Sequence, residues 1–179
     1  YFTPDYLKFF KELAANNHKE WFDVNRIRYH NSVKEPFKAF IEELITESAK
    51  IDAEIAIAPK DAIFRINRDV RFSKDKTPYK LRNSALISKF GKKNKSYPGL
   101  YVELGPEKIG IYGGLFMPTT QELDKIRTAI LNNFNEFNKL VTETDFVTHF
   151  GEIRGKKNKR IALKYREKAE EQSLLYNKQ

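Results

Sequence analysis

Cysteine is absent from this 179-residue chain, which excludes a disulfide framework, a thiol nucleophile and a thiolate metal site. Histidine is scarce. The three copies, His18, His30 and His149, are isolated, and no His-x-x-x-His or Glu/His cluster offers metal-ligand spacing. No metal and no cofactor is expected, since a metal site would need Asp69 or Asp75 to recruit distant partners. No apolar run approaches the roughly 18 residues that span a bilayer, and no signal peptide is visible. A cytoplasmic location without membrane association is the resulting expectation. Repeats, low-complexity tracts and an interdomain linker are also lacking, so residues 1–179 are expected to form a single domain. Both ends read as cut from a longer chain, because the sequence opens at Tyr1 without Met and Tyr176-Asn177-Lys178-Gln179 carries no stop signal.

What is present is a folded-protein composition, with 40% hydrophobic residues, 14 of them Phe, and 32% charged residues of mixed sign. The net charge is +9, a balance that favours polyanionic or phosphorylated partners. Thr3-Pro4 suits a helix start, and Tyr6, Phe9, Phe10 and Leu13 then recur at helical spacing. A second helix is expected from Lys19 to about Ser32, with a kink or fresh start at Pro36. Phe37, Phe40, Ile41, Leu44, Ile45 and Ser48 form the next helical stripe.

The middle of the chain changes period. Residues 62–67 alternate, with Phe64 and Ile66 expected on one face of a strand and Ile63, Arg65 and Asn67 on the other. Residues 84–90, 100–104 and 108–112 also read as strands, the last two joined through Gly105-Pro106-Glu107-Lys108 in hairpin fashion. After Gly113-Gly114 the helical period returns. Thr119 as N-cap and Glu122 three residues on form a capping box. The expectation is an α+β fold with an antiparallel sheet of about four or more strands, flanked by N-terminal and C-terminal helices.

One stretch departs from simple patterning. From Arg65 to Arg82 there are seven basic residues and two acids, a local +5 within the total of +9. Guanidiniums near a carboxylate form forked pairs, and a fork left unpaired suits a phosphate or carboxylate. Arg65, Arg68 and Arg71 are candidate anion clamps, Asp69 would orient them, and Lys76, Tyr79 and Lys80 would line the rim. The competing reading is a structural ion-pair network that only holds a loop. Asp69 and Asp75 are candidate catalytic carboxylates, although flanking cations lower their pKa and suit them better to accepting salt bridges than to donating protons.

The run from Phe64 to Lys80, Phe-Arg-Ile-Asn-Arg-Asp-Val-Arg-Phe-Ser-Lys-Asp-Lys-Thr-Pro-Tyr-Lys, closely resembles the hallmark of a widespread bacterial and fungal family of conserved hypothetical proteins, catalogued as a domain of unknown function. Asn16 to Phe22 is similar to its N-terminal motif, with His18 where Arg is more usual. Pro98 to Tyr101 and Gly113 to Pro118 are similar to its glycine-rich sheet segments, with Phe116 where Trp is frequent. The closing Tyr176 to Gln179 resembles the start of a C-terminal motif that would continue into aromatics. The resemblance covers nearly the whole chain and implies no particular activity.

Other constellations carry less. Ser73-Lys74-Asp75-Lys76 has Ser-x-x-Lys spacing, but it lies in a loop ahead of Pro78 rather than at a helix start. Gly110 to Gly114 lacks the Gly-Lys-Ser/Thr ending of a phosphate loop. The lysines of 89–95, interleaved with Tyr97 and Tyr101, and the basic run 154–160 could follow a nucleic-acid backbone, with solvated loops as the alternative. Three functions therefore compete: a binder or enzyme for a small phosphorylated or carboxylated anion, a nucleic-acid-binding module, and a non-catalytic structural domain.

Overall fold

The computed structural model describes residues 1–178, which fall into two compact units, 1–114 and 115 onward. No helix among the described residues is long and apolar enough to cross a membrane. In the first unit, α1 (Pro4–Ala15) starts behind Thr3 with Pro4 in its first turn and buries Tyr6, Phe9, Phe10 and Leu13. The helix expected from Lys19 is broken into α2 (Lys19–Val24) and α3 (Arg26–Tyr29), and a π-helical turn, His30–Lys34, leads into α4 (Glu35–Ile51). Pro36 sits in the first turn of α4. It has no N–H to give Ser32, and the widened turn before it relieves the clash that would otherwise kink the helix. Phe37, Ile41 and Ile45 bury the inner face of α4, and Arg28 ties α3 to α1 through Asp5 at 2.6 Å and Glu12 at 2.5 Å.

The sheet has three antiparallel strands among the described residues, in the order β1 (Asn83–Ile87), β2 (Gly99–Leu104), β3 (Ile109–Gly114). Ala85, Val102 and Ile111 lie opposite one another in register. Alternation then places Ala85, Ile87, Val102 and Leu104 on the face packed against α1 and α4. Ser84, Leu86, Tyr101, Glu103 and Tyr112 fall on the other face.

The fourth strand expected over 62–67 does not form. A short helix, α5 (Pro59–Ala62), precedes it. Ile63 then makes a single bridge to Ala85, and Asn67 a single bridge to Tyr79. The backbone changes partner between them: the Phe64 N–H donates to Ser84, while Ile66 accepts from Lys80 and the Arg68 N–H donates to Pro78. A ladder cannot extend along β1 once the chain has turned to pair with 78–80, and Pro78 has no N–H to continue the second pairing. The expected sharing of a face by Phe64 and Ile66 fails for the same reason. Ile66 is buried in the core, whereas Phe64 stands half-buried on the other side of the sheet.

The second unit is helical: α6 (Thr120–Asn132), α7 (Phe134–Thr142), α8 (Thr144–Phe150) and α9 (Leu163–Glu171). The Thr119–Glu122 capping box opens α6 as the sequence suggests. Ile161, Tyr165, Ala169 and Leu175 form its small core. Arg127 is buried there, its guanidinium donating to the carbonyls of Leu175 at 2.8 Å and Asn177 at 3.1 Å.

Candidate functional site

The hallmark stretch folds as a tongue. Its stem is the pairing of 66–68 with 78–80, and its tip is residues 69–77. The stem is fastened to the N-terminal helices by Asn17, whose side chain accepts from the Tyr79 N–H at 3.1 Å and donates to the Tyr79 carbonyl at 3.0 Å. The Tyr79 ring stacks on Phe22 with centroids 4.1 Å apart and planes 15° from parallel. Tyr79 is therefore placed in the core rather than at a rim.

The polar side chains of the tip turn back onto the tongue itself. Arg68, half-buried, donates to Asp75 at 2.5 Å, to the Thr77 carbonyl at 3.1 Å and to the Thr77 hydroxyl, and it reaches Ser73 at 3.5 Å. Arg71 makes a forked pair with Asp69, Nε to Oδ1 at 3.0 Å and Nη2 to Oδ2 at 2.7 Å. Lys76 donates to the carbonyls of Val70 and Arg71. The Asp75 carboxyl is held down to about 2 by the Thr77 backbone N–H, Arg68 and the Thr77 hydroxyl, and Asp69 is lowered mainly by Arg71. Both candidate catalytic carboxylates are thus ionised acceptors. The guanidiniums of Arg68 and Arg71 end on Asp75 and Asp69, while that of Arg65 makes no hydrogen bond or ion pair among the described residues and acts on Asp69 only through its charge.

A different cluster surrounds Phe64. The Lys80 ammonium lies 5.7 Å from the ring centroid and that of Lys95 lies 5.5 Å from it. Lys80 is anchored by donation to the Arg65 carbonyl at 2.8 Å. Burial, and then the charges of Arg65, Arg82 and Lys95, push its pKa below the ordinary lysine value. Arg82 pairs with Glu103 at 2.8 Å, and Glu103 also takes Lys108 at 3.3 Å and the Tyr112 hydroxyl at 3.2 Å. Arg65 and Lys95 make no direct ion pair among the described residues, although the Arg65 charge acts on Asp69. Residue spacing marks Arg65 and Lys80 as anion contacts, counts Arg82 in the basic run and gives Lys95 to the nucleic-acid reading, but it passes over Phe64. The available signal was the alternation at 63–67, which placed Phe64 on a strand face without saying that the cations would gather on it.

The basic segment 89–95 is largely engaged, whereas 154–160 is not. In 89–95, Lys89 pairs with Glu54 at 2.5 Å, Lys92 donates to the carbonyls of Lys60 and Ile63, and Lys93 faces Asp61 at 3.6 Å. In 154–160, among the described residues, Lys157 meets the Ser173 hydroxyl at 3.2 Å, and the side chains of Arg154, Lys156, Lys159 and Arg160 make no hydrogen bond or ion pair. Among the described residues no group of three His, Cys, Asp or Glu side chains is placed to hold a metal ion.

A family model described as conserved hypothetical protein, DUF2461, matches residues 5–179, nearly the whole chain. This chain belongs to the DUF2461 family. Neither a search of curated proteins nor a search of solved structures returned a match. In this member of DUF2461 the distinctive features are the self-braced tongue and the cations gathered on Phe64.

Proposed function

We propose that this DUF2461 protein binds a small phosphorylated or carboxylated anion at the cation cluster around Phe64. Arg65, Lys80 and Lys95 are the direct contacts, and Arg82, oriented by Glu103, stands behind them. One observation carries the reading: Lys80 is half-buried and feels the like charges of Arg65, Arg82 and Lys95, Lys95 makes no ion pair among the described residues, and Asp69, the carboxylate that feels the Arg65 charge, is already forked with Arg71. Like charges brought together at partial burial repel, and an external anion relieves that repulsion. Arg68, Arg71 and Lys76, the other expected ligand contacts, have donors committed to Asp75, Thr77, Asp69 and backbone carbonyls. They support the site by holding the tongue rather than by touching the ligand. Asp69 and Asp75 support no proton-transfer role in this reading, so we infer binding and assign no catalytic residue.

The nucleic-acid reading keeps only the run 154–160 in its support, because most of the lysines in 89–95 are occupied within the protein. Titration of inorganic phosphate and of citrate into the isotopically labelled protein, followed by amide shifts, tests the proposal. Saturable shifts around 64–66, 80–82 and 95 are expected, lost in Lys80→Ala and Arg65→Ala and kept in Arg71→Ala. Equal binding by all three variants, or no saturation by either anion, would reject the site.

A further inference from the structure

The tongue presents one residue for which neither the fold nor the anion site has a use. Phe72, at the tip, is 97% exposed. Around it every polar side chain but one is drawn into the loop's own bracing: Arg68 onto Asp75, Thr77 and Ser73, Arg71 onto Asp69, Lys76 onto two carbonyls, and Thr77 onto Asp75, its hydroxyl donating at 2.8 Å. The exception is Lys74, which makes no hydrogen bond or ion pair among the described residues. Arg71 also stands over the Phe72 ring at 5.8 Å from its centroid and so limits where the ring can swing. The motif therefore uses its polar residues to build a stiff loop whose outermost group is an apolar ring. Stiffness matters for binding, because a pre-ordered anchor loses little conformational freedom when it docks.

We propose that Phe72 is an interaction anchor: the tongue inserts its ring into an apolar socket, rimmed by carboxylates, on a partner protein. The charge of the tip selects the rim. Residues 68–76 hold Arg68, Arg71, Lys74 and Lys76 against Asp69 and Asp75, a net +2, and both acids already face arginines. A buried aromatic anchor ringed by polar contacts is the usual centre of a protein–protein interface. Lipid is a poorer match, since one ring and a few cations fall short of the two signals that stable membrane attachment takes. Nucleic acid is a poorer match as well. Its backbone needs a row of free cations, and only Lys74 is unengaged here.

The test is selection of a random dodecapeptide display library on the immobilised full chain, with soluble Phe72→Ala protein present as competitor. The ring is almost wholly exposed, so the variant is expected to keep the wild-type melting curve. Peptides pairing an apolar residue with neighbouring Asp or Glu should be enriched. They should bind Phe72→Ala at least tenfold more weakly, and Lys74→Glu severalfold more weakly. Enrichment of basic peptides, equal binding to Phe72→Ala, or no Phe72-dependent peptide at all would overturn the proposal. So would Phe72-dependent binding to vesicles containing phosphatidylserine or to an oligothymidine strand in place of peptide.

Discussion

Asn17→Ala is the sharpest probe of how the tongue is attached. The Asn17 amide satisfies both backbone groups of Tyr79, a residue 62 positions away and only 6% exposed. Alanine removes two hydrogen bonds of about 1 kcal/mol each and leaves a buried N–H and C=O without partners, so a loss of about 2–3 kcal/mol is expected. For a chain of this size each kcal/mol moves the melting temperature by roughly 2–4 °C, and the shift should be roughly 5–10 °C. Trp21 is the sole tryptophan and packs against Phe9 at 5.5 Å, so its fluorescence reports the N-terminal unit selectively. Asn17→Asp sharpens the test. It keeps an acceptor for the Tyr79 N–H but sets a carboxylate oxygen against the Tyr79 carbonyl, and at neutral pH it should be no more stable than the alanine variant. A change below about 0.5 kcal/mol for alanine, within the range of ordinary surface substitutions, would show that the tongue is held by something other than this clasp.

Further outcomes follow from the same geometry. Arg71→Ala should leave the melting temperature within about 2 °C of wild type, because its pair with Asp69 is solvent-exposed; differential scanning calorimetry checks this. Asp75 is held below its unfolded value of 3.8, so its contribution is complete above about pH 4 and is lost as pH falls toward about 2. Urea titrations across that window should show a slope that Asp75→Asn makes shallower, the other lowered carboxylates such as Asp5 and Asp23 keeping the rest. Anion binding at Lys80 should be strongest at neutral pH and weaken as pH rises through the depressed lysine pKa, and Lys80→Arg should push that limb to higher pH in a phosphate titration. Arg127→Ala should destabilise the C-terminal unit by about 2–3 kcal/mol, because the carbonyls of Leu175 and Asn177 lose charge-assisted donors. Circular dichroism can follow that loss.

The sequence by itself determined the helices with a clear stripe or cap: Tyr6, Phe9, Phe10 and Leu13 on α1, Phe37, Ile41 and Ile45 on α4, and the Thr119–Glu122 box on α6. Periodicity and capping act over a few residues, and a linear reading captures them. It also placed the three paired strands and marked 64–80 as distinctive. Only the tertiary structure decided what that stretch does with its charges. Residue type says that Arg68 and Arg71 can clamp an anion; their proximity to Asp75 and Asp69 decides that they clamp the protein. Lys95 joins Lys80 on the Phe64 ring from 15 positions away, and Asn17 reaches Tyr79 from 62. Hydrogen bonds and charge pairs depend on distances in space, which spacing along a chain leaves open wherever the backbone changes partner, as it does between Phe64 and Arg68.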